Sequence, residues 1–444
     1  MSGPKVVRIV TREEILEICA GQLARVEAAF QDWLRVGRRN DCILQANIAA
    51  VEARLTRLRG LLAADRFVDL QKQAPQEVEF LNQDMQDRLA KVADTETKAR
   101  AASRRQGEAA AALLAALRTS GAPLDADLDA ALQRAADGQP DPRAMARGFA
   151  LLASETPRDG AAQRDLAQSL KDGRPSLSLA DWASAQSLPP DPVLSRFESR
   201  LVELSQLSDP QDVAAFEARL AAATAPDAAP RRSLLLDSLD LDLTKAIVVA
   251  RKRDRGARDL RLALAELATL DPKAAEALGA RSETDQAEQA QRLADVQALI
   301  AKTRAARAAT ARRAAVLESL SGLGYEVGEG LATAWAVDGR VVLRKAAQPD
   351  YGVEISGDPT AARMQMRVVS FDGEAIDPAR DRDAEQQWCG DVATLQTRLA
   401  AIGGGLVIEK ALAVGATSVK RIADAEALSR IAREGPKAQV RSLP

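Results

Sequence analysis

Residues 11–34 read TREEILEICAGQLARVEAAFQDWL, and their spacing decides the fold class. Thr11 and Glu14 stand three apart, the spacing of a capping box, so a helix is expected to start here. Behind them the apolar positions Leu16, Cys19, Leu23, Val26 and Phe30 step by three and four, and Leu34 follows after a stutter. Sustained alternation of this kind predicts a coiled coil rather than an ordinary surface helix. The stripe resumes at Leu44 and runs through Ile48, Val51, Leu55, Leu58 and Leu62. Upstream, Lys5–Val10 is a short β-branched run and reads as a strand.

Downstream, Pro75 removes a helical hydrogen bond, so the pattern is expected to break there. A second run follows through Met85, Leu89, Val92, Glu96, Ala99, Ser103, Gln106, Ala110, Leu113 and Leu117, polar in its middle, and it stops before Pro123. Residues 12–118 thus form one expected arm. Heptads return from Leu236 through Leu239, Leu243, Ala246, Ala250, Leu260, Leu264 and Leu267. Asp271-Pro272 breaks that helix or opens the next, and Leu293, Val296, Ile300 and Leu317 carry the last run. This is a second arm over 233–320, without one aromatic residue from 233 to 319.

The arms either fold on themselves or run out and back as one long antiparallel hairpin. The hairpin is the favoured arrangement, because it sets Pro75 and Pro272 at nearly the same height. It also brings residues 1–11 to the C-terminal part, where their strand can join a sheet. Residues 119–232 are cut by prolines and seeded by Phe149, Trp182, Phe197 and Phe216, so a small helical domain is expected there.

After Gly322 the period changes to two. Asp338-Gly339, between Trp335 and Leu343, is a hairpin signal, and Tyr351–Ile355 and Met364–Phe371 read as strands. An acidic loop over 372–383, a helix over 384–402 ended by Gly403–Gly405, and a strand at Leu406–Ile408 complete an α+β domain over 321–415. A short helix near Ser418 and a polar tail fill 416–444. The expected fold is therefore mainly α: long antiparallel coiled-coil arms, an inserted small helical domain and a C-terminal α+β domain.

Composition limits the chemistry. The 444 residues include no histidine, which excludes Ser-His-Asp and Cys-His nucleophile systems and imidazole metal ligands. Cys19, Cys42 and Cys389 are scattered and read as reduced thiols of a cytoplasmic protein. No stretch is long and apolar enough for a membrane span, the N-terminal segment lacks a signal peptide's apolar core, and no GxxxxGK[ST] loop occurs.

The carboxylates Asp372, Glu374, Asp377, Asp381, Asp383, Glu385 and Asp391 match no cation-binding spacing and read as a solvated loop and helix start. Asp350 and Glu354 resemble part of a metal-dependent nuclease core, but Ser356 stands where its lysine would be. Cys389 lacks a histidine base and is expected to be a buried structural residue. No catalytic residue, cofactor or metal is expected.

Two basic runs remain, Lys98, Arg100, Arg104 and Arg105, and Arg251, Lys252, Arg253 and Arg255. In the hairpin arrangement they make one collar able to touch a phosphate backbone, although a solvated helix face is the plainer reading. The expected function is a non-enzymatic scaffold or spacer that binds protein partners or itself. The alternative is an accessory subunit of a bacterial nucleic-acid-acting complex, in DNA maintenance or phage defence. A metal-dependent hydrolase in the C-terminal domain is the third reading.

Overall fold

The computed structural model describes residues 3–121, 124–155, 191–280, 286–357, 362–371 and 377–422. The chain is mostly helical, with a small, largely antiparallel sheet whose strands come mainly from near the C-terminus. It forms two compact units. One comprises Met1–Leu34, Leu44–Leu81 and Gly256–Pro444; the other comprises Arg35–Ile43 and Asn82–Arg255.

The first helices are α1 (Arg12–Arg39), α2 (Gln45–Ala63) and α3 (Phe67–Ser120). Their stripe is buried as its spacing requires, at Cys19, Val26 and Phe30 in α1 and at Ile48, Val51, Leu55 and Leu58 in α2. The expected single arm is nevertheless three helices. Asp41 and Asp65 adopt left-handed backbone, with φ of 48° and 55°, and turn the chain after α1 and α2. Aspartate and asparagine tolerate that region because their short side chains can bond locally. The apolar stripe continues through both turns, so it does not reveal them.

Pro75 does not break the chain: α3 is continuous over 54 residues with Pro75 inside it. The ring is exposed while Leu70, Ala74 and Leu81 on the neighbouring turns are buried. That packing offsets the roughly 3 kcal/mol that a mid-helix proline costs. The polar middle of the run is also not the buried seam, since Ala101 and Gly107 are buried there while Ala99 and Gln106 are exposed.

In the unit spanning Asn82–Arg255, α4 (Ala126–Ala136) and α5 (Pro142–Glu155) pack on the end of α3. Leu113, Leu117, Leu128, Leu132 and Ala144 form that core. Gly107 permits the close approach, because a Cβ there would lie 3.0 Å from the Ala136 carbonyl oxygen. A second core joins α6 (Pro192–Leu207), α7 (Pro210–Thr224) and the first half of α8 (Arg232–Leu270) through Phe197, Leu201, Val213, Leu239, Leu243 and Ile247. Both cores therefore take in residues expected in the arms. Trp182 and the proline-rich stretch over 156–190 lie outside the described residues.

The break expected at Asp271 is present. Asp271 accepts a hydrogen bond from the Ala274 amide at 3.0 Å and caps α9 (Pro272–Gly279), with proline at its first position. The last long helix is α10 (Gln286–Ser321).

The sheet gathers β1 (Lys5–Val10), β2 (Arg340–Lys345), β3 (Gln348–Ser356), β4 (Arg363–Ser370), β5 (Gly405–Ala411) and β6 (Lys420–Arg421). Its order is β2-β3-β4-β1-β5, with β6 beside β4, so the N-terminal strand sits inside the C-terminal sheet. The end of α10, α11 (Leu331–Asp338) and α12 (Pro378–Ala401) cover one face, with Trp335 and Trp388 in the core.

Asp338-Gly339 is not a hairpin turn. Gly339, at φ 67°, ends α11 and donates its N–H to the Trp335 carbonyl, while the β2–β3 turn falls between Lys345 and Gln348. Asp-Gly suits a helix stop as well as a two-residue hairpin, and the buried indole decides for the helix. Lys420–Arg421 form the short strand β6 where the helix expected near Ser418 would begin, and the rest of that helix falls outside the described residues. Residues 372–376 of the expected acidic loop and the residues from 423 lie outside the described residues.

Candidate interaction surfaces

The two basic runs lie on either flank of α6, and three of their eight cations, Arg100, Arg104 and Arg251, are met by acids of α6 and α7. Arg100 pairs with Glu217 at 2.7 Å and with Glu96 at 2.8 Å, and Lys98 pairs with Asp94 at 2.7 Å. Arg104 pairs with Glu198 and Arg105 donates to the Ala101 carbonyl at 3.3 Å. From the other run, Arg251 pairs with Glu203 and Arg253 donates to the Leu207 carbonyl at 3.3 Å. Lys252 and Arg255 are exposed. Burial pushes the Glu198 carboxyl up, against the pull of Arg104 and Arg100. Lys98, Arg100, Arg104 and Arg251 hold carboxylates, which reduces the field that the collar presents to phosphate.

The first half of α8 carries a feature that the heptad reading passes over. Leu239, Leu243 and Ile247 face the core, yet Leu234 is 70%, Leu241 57% and Val248 58% exposed. These three are spaced by seven and form a second, outward stripe, flanked by exposed Leu235 and Val249. The signal lies in the runs Leu234-Leu235-Leu236 and Ile247-Val248-Val249, which place apolar side chains on both faces at once. Exposed Asp237 and Lys245 border Leu241 at minus and plus four.

In the C-terminal part, the carboxylates serve structure. Asp377 caps α12, Asp381 accepts from the Tyr351 hydroxyl at 2.8 Å and pairs with Arg421 at 3.0 Å, and Asp391 accepts from Tyr325 at 2.8 Å and Lys345 at 2.6 Å. Burial, followed by the bond to Asp381, raises the Tyr351 hydroxyl to about 12. Among the described residues, no three His, Cys, Asp or Glu side chains stand close enough to hold a metal ion; Asp372 and Glu374 lie outside them. Asp350 pairs with Arg380 at 3.1 Å rather than acting with Glu354.

Cys389 is half-buried, not fully buried as expected, and the Lys5 ammonium donates to its sulfur at 3.4 Å. Lys5 itself is buried on β1, a strand residue that sequence spacing does not connect with the thiol.

Strand register sorts the sheet into two faces. Val353, Ile355, Met364, Met366, Val7, Ile9 and Leu406 point to the helices. The opposite face carries four cross-strand rows, because residues paired across strands share a face. These are Arg344–Gly352–Val369–Lys420, Val342–Glu354–Arg367, Arg340–Ser356–Gln365–Val6–Lys410 and Arg363–Arg8–Val407. The sequence signal is period two, with Arg340 and Arg344 four apart on one strand and Arg363 and Arg367 four apart on another.

Glu354 is only 2% exposed, and Arg367 at 2.6 Å and Lys420 at 2.9 Å hold it. Burial alone would raise its carboxyl, but the hydrogen bonds from Lys420 and Arg367 outweigh this and hold it below 4.5. A carboxylate so lowered stabilises the fold fully above its unfolded value, and that contribution is lost as pH falls through the folded value. The urea midpoint is therefore expected to fall as pH drops below 4.5, with a shallower fall in Glu354→Gln. Equal acid limbs in the two proteins would contradict the assignment.

Compared with protein families, curated proteins and solved structures, the chain matches none.

Proposed function

We propose that the protein is a non-enzymatic scaffold that assembles through a second copy of itself, seated on the outward stripe of α8 as an antiparallel, coiled-coil-like helix pair. The observation that carries this reading is Leu234, Leu241 and Val248, exposed at heptad spacing on a helix whose other face is buried. Leu241 is the centre of symmetry. In an antiparallel crossing there, Leu234 of each copy opposes Val248 of the other, and Asp237 opposes Lys245. Asp237 and Lys245, both exposed beside the stripe, meet as acid against base in the antiparallel sense, whereas a parallel pairing would set each against its own copy. A self-complementary patch of this kind closes as a two-fold dimer.

The absence of histidine and the structural engagement of the described carboxylates support a binding role over catalysis. Three free thiols suit a reducing, cytoplasmic setting. No helix of the described residues is long and apolar enough to cross a membrane.

The stripe is short, so the expected dissociation constant is on the order of micromolar. Size-exclusion chromatography with light scattering should give a mass near twice 47.3 kDa at high concentration, falling on dilution. A monomer mass throughout would overturn the proposal.

A further inference from the structure

Lys5 is 2% exposed, on the face of β1 that α12 covers, and its ammonium donates to the Cys389 sulfur at 3.4 Å. Among the described residues no carboxylate pairs with it. A buried ammonium is ordinarily matched by an acid, because an unmatched charge in a low dielectric is costly. Here the group set against it is a thiol. The nitrogen is also held in place, since Lys5 lies in register between Met366 of β4 and Ala411 of β5. On α12, Trp388 and Val392 anchor the helix in the core, while Gln386 and Gly390 are exposed beside half-buried Cys389. A small oxidant can therefore reach the sulfur from solvent, and the amine waits on its inner side.

The other two thiols are placed differently. Cys19 is fully buried, which pushes its thiol up, and its neighbour is the Gln71 amide nitrogen at 3.7 Å. Burial also pushes the Cys42 thiol up, against the pull of Arg88, which donates to the Cys42 carbonyl at 3.0 Å. Neither an amide nor a guanidinium is a useful nucleophile, whereas a lysine amine is.

We infer that Lys5 and Cys389 form a modification site, at which a hydroperoxide drives a covalent sulfur–nitrogen bond between β1 and α12. The Cys389 thiol takes one oxygen from hydrogen peroxide and becomes a sulfenic acid, with release of water. Sulfur loses two electrons in this step and the peroxide gains them. Lys5 then gives one proton to solvent, and its nitrogen lone pair attacks the sulfur. Hydroxide leaves and takes a second proton from that nitrogen, so a second water is released. Sulfenic acids condense in this way with a backbone nitrogen. A separation of 3.4 Å falls within the roughly 3–3.5 Å of atoms poised to react. The bridge joins positions 384 residues apart, so it removes much of the freedom of the unfolded chain.

The site does not depend on self-association through α8. The test is peptide mass mapping of the full chain after treatment with hydrogen peroxide. Peptides containing Lys5 and Cys389 should be recovered joined, lighter than their sum by two hydrogen atoms, and dithiothreitol should separate them. The urea midpoint should rise with the bridge and return when it is reduced. Lys5→Arg keeps the charge and removes the amine, so the bridge should be lost and dimedone, which traps sulfenic acid, should label Cys389. The unchanged chain decides the matter even where that variant does not fold. Cys389 recovered as a sulfinic acid with no joined peptide, or oxidation that reaches Cys19 or Cys42 first, would overturn the inference.

Discussion

Trp388→Ala is expected to lower the stability of the unit that holds the sheet by about 3–5 kcal/mol, the range for emptying a buried tryptophan site. Trp388 is 1% exposed at the centre of the core between α12 and the sheet, and it meets Tyr325 edge-on at 6.1 Å between ring centres. Its removal opens a cavity lined by strands and helices that cannot collapse together. The indole N–H pairs with no described residue, so Trp388→Phe loses area without leaving a new polar orphan and should cost much less. Urea unfolding followed by circular dichroism separates the two variants. Equal midpoints for Trp388→Ala and the unchanged protein would place the core elsewhere.

Gly352→Ala is expected to destabilise the same unit by about 3 kcal/mol or more, since forced overpacking of a tight site costs on that scale. A Cβ at Gly352 would collide with the Leu343 carbonyl oxygen of the paired strand and lie 2.8 Å from the Phe371 ring. The first obstacle is backbone and cannot rotate away. The sheet must open at the β2–β3 pair or expel Phe371, and either change disturbs the row holding Arg344 and Lys420. A reduced urea midpoint is the expected result. An unchanged midpoint would mean that the ring and strand are more loosely placed than described.

Sequence spacing captured the class of each segment better than its ends. The steps of three and four from Leu16 onward place the buried residues of α1 and α2 correctly, because burial follows helical period directly. They miss the turns at Asp41 and Asp65, where the backbone changes sign without interrupting the stripe. Pro75 misleads in the opposite direction: a local cost is overridden by packing on both sides.

The β-branched run Lys5–Val10 is legible as a strand, and its place in the C-terminal sheet follows from the termini meeting. The basic runs were legible as charge. Their acid partners were not, since Glu198, Glu203 and Glu217 are about 50 to 120 residues distant along the chain from the arginines they hold. The outward stripe of α8 hides for another reason: once Leu239 and Leu243 explain the helix, the leucines beside them look redundant.

The most direct measurement of the scaffold proposal is oxidative cross-linking of single cysteine variants on α8. A two-fold crossing at Leu241 brings the two copies of that residue together, within the roughly 7 Å between Cα atoms that a disulfide tolerates. Copies of residue 234 would be about 21 Å apart along the helices, fourteen residues at 1.5 Å each. Leu241→Cys should therefore form a covalent dimer under mild oxidant, while Leu234→Cys and the unchanged protein with its own three thiols should not. Cross-linking of Leu234→Cys in preference to Leu241→Cys, or of neither, would contradict the antiparallel dimer.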